Sequence, residues 1–301
     1  NQNISMAVFK ITKKCSFEEL VENLEDLNGQ DIGHECLEIL VKLIEPINMF
    51  KKKVRAWKPP NQPSFQPLRD MKLFTPAEKL IWYVADVKQL PLRIKSLHFI
   101  ESYRDISKPL IKNCDVLLNA CKNVLDSKRL PKVMEYILVL ANHLNQGGKN
   151  ENLSGIRLSG LSRVTVTKSA KGINLLEFLV GKLKRKEEDL LNLKDDFEDI
   201  GDATFLSTTT MKSERKQLTD GLAGLKRNIK SANDRNDSTW EDSIGHFCEK
   251  IEIVVERIEE KFKEAEKTFD AACKYLAEDS KKVKFEGFFA MLKGFIELYN
   301  K

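Results

Sequence analysis

The sequence contains few residues that interrupt helices and no long apolar run. Among its 301 residues there are only nine prolines and fourteen glycines. Leu, Glu and Lys, which favour helix, dominate the rest, so we expect an all-α protein. No apolar stretch approaches the roughly 20 residues that cross a bilayer. We therefore predict that no segment spans a membrane.

The motifs that carry common enzyme chemistry are also missing. There is no glycine-rich phosphate loop, HExxH, GxSxG or paired Cys/His spacing. The Gly147-Gly148 pair lacks the preceding strand and the following GK[ST] of a nucleotide loop. We predict a protein that is not an enzyme and needs no metal or cofactor. The histidines are isolated from Cys or Asp at ligand spacing; they are His34, His98, His143 and His246.

Cysteine usage indicates a reducing environment. The six cysteines are scattered, form no CxxC and lie mostly among apolar helix positions, which predicts reduced core thiols. They are Cys15, Cys36, Cys114, Cys121, Cys248 and Cys273.

The charge balance is mildly basic, with a net charge of +5 and 32% charged residues. This suits an acidic partner surface but lacks the dense basic stripe of nucleic-acid binders. Lys51 to Arg55 and the helix that carries Lys212, Arg215, Lys216, Lys226, Arg227 and Lys230 could bind nucleic acid, but aromatic residues are not interleaved there. We predict no nucleic-acid partner and a solvated face at Lys51 to Arg55.

Helix boundaries are marked by capping residues and prolines. Ser16 to Glu19 and Thr75 to Glu78 are capping boxes, so helices should begin there. Pro46 and Pro109 are expected to divide helices. The segment from Trp57 to Pro67 holds four prolines and should be extended.

Two long amphipathic helices are predicted near the end of the chain. In the second, one extra step of four before Phe262 predicts a stutter, and together these helices favour a bundle. Their apolar positions are Met211, Leu218, Leu222, Leu225 and Ile229 in the first, and Ile244, Phe247, Ile251, Val254 and Ile258 in the second.

The central stretch, from Leu138 to Leu179, is the most distinctive. The helix from Val133 to Leu144 is apolar on most sides, which predicts that it is buried. It is followed by a polar loop from Gln146 to Ser154, whose Gly, Asn, Lys and Ser resist helix. Compact domains seldom keep such a loop without a function for it.

Five short segments of this stretch follow one another in a specific order and spacing. They are Ala141-Asn142-His143-Leu144-Asn145-Gln146-Gly147, Gly155-Ile156, Leu158 with Leu161 and Arg163, Thr167-Lys168-Ser169, and Leu175-Leu176. Together they resemble the signature of formin homology 2 domains. The family pattern reads Gly-Asn-Tyr-Leu/Met-Asn-x-Gly, Gly-Phe, Leu-x-x-Leu-x-Lys, Asp-Thr-Lys-Ser and Leu-Leu. The departures from it are Ala141, His143, Ile156, Arg163 and Val166.

The resemblance extends over nearly the whole chain, because Gln2 to Phe9, Leu90 to Arg93 and Glu286 to Phe295 resemble knob and terminal segments of the family. It implies an elongated all-α, multi-helix core with knob, coiled-coil and post subdomains. We expect a knob-like subdomain at 1–105, a coiled-coil bundle at 106–130 and 205–278, a post-like subdomain at 131–204 and a C-terminal helix at 279–301.

The resemblance further implies a function in actin assembly. Formin homology 2 domains form head-to-tail dimeric rings that bridge actin subunits and stay on the barbed end as filaments grow. Position by position, the family's actin contacts correspond to Met6, Arg93, Arg163 and Lys168. Core packing for Met6 and a solvated charge for Lys168 are the alternative interpretations.

The post motif that receives the partner's lasso corresponds to Asn142, His143, Asn145 and Gly147. Alternatively, Asn142 and Asn145 only tie down the loop backbone. In this family the lasso, with its tryptophan anchors, precedes the knob, so we expect the chain from Asn1 onward to be monomeric. Self-association through lasso and post is expected in the intact protein.

Flanking segments are expected to bring profilin-actin, and the expected location is the cytoplasm and the actin cytoskeleton. From periodicity alone, a different function stays open. The chain could be a helical scaffold or adaptor that binds a partner helix or a small GTPase.

Overall fold

The computed structural model describes residues 8–56, 71–148, 152–161, 167, 172 and 174–301. Within these ranges every regular element is a helix, which confirms the all-α prediction. The α-helices are α1 (Phe17–Glu25), α2 (Gly29–Ile32), α3 (His34–Ala56), α4 (Pro76–Val84), α5 (Leu90–Asp126), α6 (Arg129–Leu144), α7 (Leu175–Lys186), α8 (Ile200–Ala203), α9 (Thr208–Asn233), α10 (Thr239–Tyr275) and α11 (Phe285–Tyr299). Short 3-10 segments cover Met71–Leu73 and Glu188–Asp196.

Among the described helices, none combines the length and the apolar character that a membrane crossing requires.

The capping boxes start helices where the sequence predicted them. The Glu19 amide donates to Ser16 Oγ at 3.1 Å, and the Glu19 carboxylate accepts from the Ser16 amide at 2.8 Å. The same reciprocal pair joins Thr75 and Glu78 at the start of α4. Each box satisfies amides that the first helical turn leaves without partners.

The prediction that prolines divide two helices is wrong. Pro46 lies inside α3 and Pro109 inside α5, and both helices continue through them. A proline within a helix removes one backbone hydrogen bond at a cost of about 3 kcal/mol. Burial on both sides outweighs that cost, because Ile44 and Ile47 flank Pro46 in the core and Leu110 directly follows Pro109 with no exposed surface.

The chain forms two compact units. The first comprises Asn1–Ser107 with Lys216–Glu256, and the second Lys108–Arg215 with Arg257–Lys301. Helices α5, α9 and α10 therefore contribute residues to both units. The finer division into knob, coiled coil and post stays a prediction.

Each unit has its own apolar core. In the first, α4 packs against α1 and α3, and α2 packs against its neighbours along the chain. In the second, the ring of Phe269 in α10 makes T-shaped contacts with the rings of Phe285 and Phe288 in α11, with 4.8 and 5.3 Å between ring centres. The Tyr299 hydroxyl, near the end of α11, donates to the Leu190 carbonyl at 3.0 Å. The terminal aromatic helix is thus part of the second core.

From Ile244 onward α10 keeps a heptad pattern, so the predicted stutter before Phe262 is wrong. One stripe of buried positions alternates there in steps of four and three. Phe247 and Val254, which the prediction placed in the core, are only half-buried, and their neighbours Cys248 and Val255 are buried instead. The stripe consists of Ile244, Cys248, Ile251, Val255, Ile258, Phe262, Ala265, Phe269 and Ala272, and it continues to Leu276 directly after the helix; Trp240 and Cys273 are buried beside it.

The cysteine prediction is confirmed. All six thiols are free and buried. Burial raises the pKa of Cys121 and of Cys273 to about 12, so these thiols stay protonated and unreactive at neutral pH. No cluster of three or more potential metal ligands occurs in the part of the chain that the structure describes.

Two glycines of α9 in the first unit give a matched test of its packing. A Cβ on Gly221 would lie 2.3 Å from the ring of Phe99, whereas a Cβ on Gly224 would meet no atom within 4 Å. Gly224→Ala should raise the free energy of unfolding by about 0.5–1 kcal/mol, since alanine favours helix. Gly221→Ala should lower it by about 1–3 kcal/mol through overpacking. Urea titration followed by circular dichroism measures both, and equal effects of the two changes would contradict the Phe99 contact.

Candidate functional site

Helix α6 is buried along one face only, so the prediction that it is buried on most sides is wrong. Leu130, Val133 and Ile137 are fully buried and pack toward the 3-10 segment Glu188–Asp196. Val139 and Leu144 are 60% and 58% exposed. The neighbouring segments cover one stripe of the helix and leave the rest of its apolar surface open. Exposed apolar surface of this kind is typical of binding sites.

Charge pairing fixes the start of α6 against the 3-10 segment. The Arg129 guanidinium binds the carboxylates of Asp189, at 2.8 Å, and of Asp196. Ser127 Oγ donates to Asp196 at 2.6 Å and accepts from the Leu130 amide at 3.0 Å. The hydrogen bond from Arg129 lowers the pKa of the Asp189 carboxyl. These contacts fix the position of the first turn of α6 against the 3-10 segment.

The end of α6 is tied to the segment that follows the polar loop. The Asn142 side chain donates through Nδ2 to the Leu153 carbonyl at 2.9 Å and accepts through Oδ1 from the Leu153 amide at 2.7 Å. One amide side chain therefore satisfies both backbone groups of Leu153, as a strand neighbour would. This pair holds residue 153 beside the last turn of α6.

A tight turn carries the chain out of α6. Gly147 has a φ of +78°, in the left-handed region that favours glycine, and the Gly148 amide donates to the Asn145 carbonyl at 2.9 Å. Where it is described, the loop is non-helical up to Arg157, in agreement with the prediction.

The segment 152–161 is anchored at its far end by the residues that directly follow α10. Leu158 and Leu161 are each 1% exposed. The Leu158 amide donates to the Leu276 carbonyl at 3.1 Å, and the Ser159 amide donates to the Glu278 carboxylate at 2.7 Å. Asn142 at one end and the turn after α10 at the other fix the backbone of this segment.

Between these anchors lies an open groove of about 720 Å³. Its apolar lining comes from the end of α6, from the segment 152–161 and from the start of α7, and polar groups stand among the apolar ones. The apolar members are Ala141, Leu144, Leu153, Ile156 and Leu175, and the polar members include Asn145, Arg157, Ser159 and Thr167. We call this surface the α6 groove. A mixed lining of this kind suits an apolar side chain presented on a polypeptide backbone.

The sequence that forms this groove was compared with models of known protein families. From residue 1 to residue 300 it matches the model of the Formin Homology 2 Domain. The chain belongs to the formin homology 2 family.

Individual formins are similar over the same extent. Protein diaphanous of Drosophila melanogaster is 24% identical over 99% of this chain and 27% of its own length. Inverted formin-2 of Xenopus tropicalis is 26% identical over the whole chain and 21% of its own length. Formin-F of Dictyostelium discoideum is 24% identical over the whole chain and 24% of its own length. The chain thus spans about a quarter of the length of these formins.

The structure gives different positions to the four post residues of this formin homology 2 chain. Asn145 lines the α6 groove, and its side chain has no hydrogen-bond partner among the described residues. Asn142 braces Leu153, Gly147 forms the turn, and His143 is exposed outside the groove lining. Their role in receiving a lasso stays a prediction.

Arg93, predicted to contact actin, is 6% exposed in the first unit. Its guanidinium donates to the carbonyls of Leu24, at 3.2 Å, and Glu25, at 2.5 Å, at the end of α1. It also lies 5.4 Å from the ring centre of the fully buried Trp240. Burial lowers the pKa of this guanidinium, but arginine remains charged at neutral pH. Such placement joins α1, α5 and α10 within one unit.

The other three predicted actin contacts, Met6, Arg163 and Lys168, lie outside the described residues. Their roles stay predictions.

Sequence reasoning missed the apolar members of the groove. Leu144, Leu153 and Ile156 line it, yet none was assigned to the site. One signal was present, since Leu153 is the single apolar residue in the otherwise polar stretch 145–155. An isolated leucine in a polar loop often packs against the protein or contacts a partner.

Removing the Asn142 amide should loosen the segment that it braces. Asn142→Ala eliminates both hydrogen bonds to Leu153, so the free energy of unfolding should fall by about 1–2 kcal/mol. Hydrogen exchange at the Leu153 amide should accelerate. Asn145→Ala is the matched control, because that side chain holds no described group, and should change neither quantity. Unchanged exchange at Leu153 in Asn142→Ala would contradict the bracing role.

Proposed function

We propose that this chain is a non-enzymatic actin-assembly domain whose α6 groove receives the lasso of a second subunit. The observation that supports the proposal is the apolar groove beside Asn142 and Asn145, in a chain of the formin homology 2 family. The family implies an actin-related function. In the intact protein we propose that paired subunits nucleate filaments and remain on the barbed end.

The groove has the size and chemistry for an aromatic anchor. A tryptophan side chain buries about 150–250 Å² and needs one partner for its indole N–H. At about 720 Å³ the α6 groove is large enough for such a ring and its backbone. Leu144 and Ile156 offer apolar contacts, and the Asn145 amide oxygen is available to accept from an N–H group. This pairing supports a lasso tryptophan as the occupant.

The groove is also held in shape before a partner arrives. Leu153 is fixed by Asn142 and Leu158 by the Leu276 carbonyl, so little backbone must be ordered on binding. A preformed site avoids part of the entropic cost of association. Asn142 therefore holds the backbone of the groove at Leu153. Asn145 is the residue whose side-chain amide we propose contacts the lasso.

Two equally exposed apolar residues of α6 separate groove binding from general exposure. Leu144, which is 58% exposed, lines the groove, whereas Val139, which is 60% exposed, does not. In a longer protein, extended upstream to include a lasso, Leu144→Asp should weaken self-association by about 30-fold or more, because an unpaired carboxylate would be buried under the lasso. Sedimentation velocity over a concentration series measures this change.

The control for that experiment is Val139→Asp, which alters the same helix and the same net charge. We expect it to leave the dimer intact. Equal weakening by both variants would argue against the groove, and a stable dimer in Leu144→Asp would rule it out as the lasso site.

For actin we propose contacts through Met6, Arg163 and Lys168, the positions that match the family's motifs. Arg93 has its guanidinium engaged with α1 and Trp240. We therefore propose that Arg93 acts by positioning the first unit. Actin presents an acidic surface in this proposal, which agrees with the net charge of +5.

A charge reversal tests the proposed actin contact. In seeded pyrene-actin assembly with the longer protein, Arg163→Asp should lower the affinity for barbed ends by about 30-fold or more, since a contact cation becomes a carboxylate. Arg185→Asp, at an exposed position of α7 without an ion pair among the described residues, is the control and should behave like the unmodified protein.

The same assay distinguishes the scaffold alternative. If neither the unmodified longer protein nor its variants alter filament growth, a helical adaptor that binds a partner helix or small GTPase becomes the better explanation. Profilin-actin delivery through flanking segments and a location on the cytoplasmic actin cytoskeleton belong to the actin proposal.

A further inference from the structure

The last two turns of α3, in the first unit, present apolar and basic side chains together. Met49 is 65% exposed and Phe50 is 40% exposed, although both are large and apolar. Lys52, Lys53 and Ala56 are exposed as well. Met49, Lys52, Lys53 and Ala56 are spaced at i, i+3, i+4 and i+7, so they share one face of the helix. Phe50 lies at the edge of this face, and we call Met49, Phe50, Lys52 and Lys53 the α3 patch.

The patch carries net positive charge. From Pro46 to Ala56 the chain has four cations and no carboxylate. Arg55 is paired with Asp86, but Lys51, Lys52 and Lys53 make no ion pair with any carboxylate that the structure describes. The nearest acidic residue on the same helix is Glu45, exposed one turn before Met49. On the face of Met49, Lys52 and Lys53 are therefore left to attract an anionic surface.

The aromatic rings near the patch are already covered by cations of the same chain. The Lys53 ammonium lies 5.8 Å from the ring centre of Phe50, and the Arg55 guanidinium lies 4.5 Å from that of Trp82. Single-stranded nucleic acids gain affinity by stacking bases on free aromatic faces. Here one face of each ring is occupied. This arrangement disfavours nucleic acid as the partner.

We propose that the α3 patch docks on an anionic lipid surface. Lys52 and Lys53 would lie among the headgroups, and Met49 and the exposed edge of Phe50 would enter the boundary with the acyl chains. Lysine stems are long enough to cover apolar surface while their ammonium groups remain among the phosphates. Amphipathic helix faces with this division of side chains bind membrane interfaces.

The expected affinity is modest. Each lysine close to an anionic leaflet contributes about a fivefold gain, so Lys52 and Lys53 together contribute about a 25-fold gain over a neutral membrane. Binding of this size is reversible and falls with salt, because the attraction acts within a Debye length. The proposal is independent of the actin proposal, since it uses neither the α6 groove nor the predicted actin contacts.

Vesicle co-sedimentation of the 301-residue chain tests the inference. Vesicles of phosphatidylcholine alone are compared with vesicles that also contain phosphatidylserine. We expect binding only to the second kind. Lys52→Glu with Lys53→Glu should reduce that binding more than about twentyfold, and Met49→Ser should reduce it about tenfold. Circular dichroism of each exposed-site variant confirms that it remains folded.

The matched control is Lys112→Glu with Lys122→Glu, two exposed lysines of α5 without ion pairs among the described residues. It makes the same change in net charge and should leave vesicle binding unchanged.

Three outcomes would overturn the proposal. Equal losses in the two double variants would mean that only net charge matters. Unchanged binding in Met49→Ser would indicate attraction to any acidic surface rather than entry into a membrane. Absent vesicle binding, with single-stranded RNA bound through Lys52 and Lys53, would assign the patch to nucleic acid.

Discussion

The burial of one heptad stripe along α10 is the constraint on which the rest of the structure depends. Apolar side chains from Ile244 to Leu276 recur in steps of four and three and supply core residues to both compact units. Directly after the same helix, the Leu276 carbonyl accepts from the Leu158 amide. The segment that forms one wall of the α6 groove is therefore anchored where this 37-residue helix ends. Core packing and the candidate site are linked through one backbone hydrogen bond.

Several polar side chains of the described residues hold backbone segments in place. Asn142 satisfies both backbone groups of Leu153, and Arg129 ties the start of α6 to Asp189 and Asp196. Arg93 does the same for the end of α1. These contacts hold apolar surfaces open and in defined positions. A protein that works by surface contact needs this kind of rigidity, because its affinity depends on groups that are already in place.

Several features could be read directly from the sequence because they depend on local chemistry. The capping boxes at Ser16 and Thr75 started helices as predicted, since a hydroxyl and a glutamate three residues apart are sufficient to satisfy the first amides. The polar loop after α6 and the family signature around Asn142 were also visible. Pro46 and Pro109 were misjudged, because their local cost is outweighed by burial of distant residues against them.

What the sequence alone determined was the all-α class, the family and the approximate place of the site, because periodicity, caps and motif spacing are properties of neighbouring residues. Tertiary structure decided which apolar residues are covered. It assigned Cys248 and Val255 to the core of α10 in place of Phe247 and Val254. It also leaves the Leu144 side chain exposed in the α6 groove and buries Arg93 in the first unit. Those outcomes depend on what packs against each helix, and a single helical pattern does not specify its neighbours.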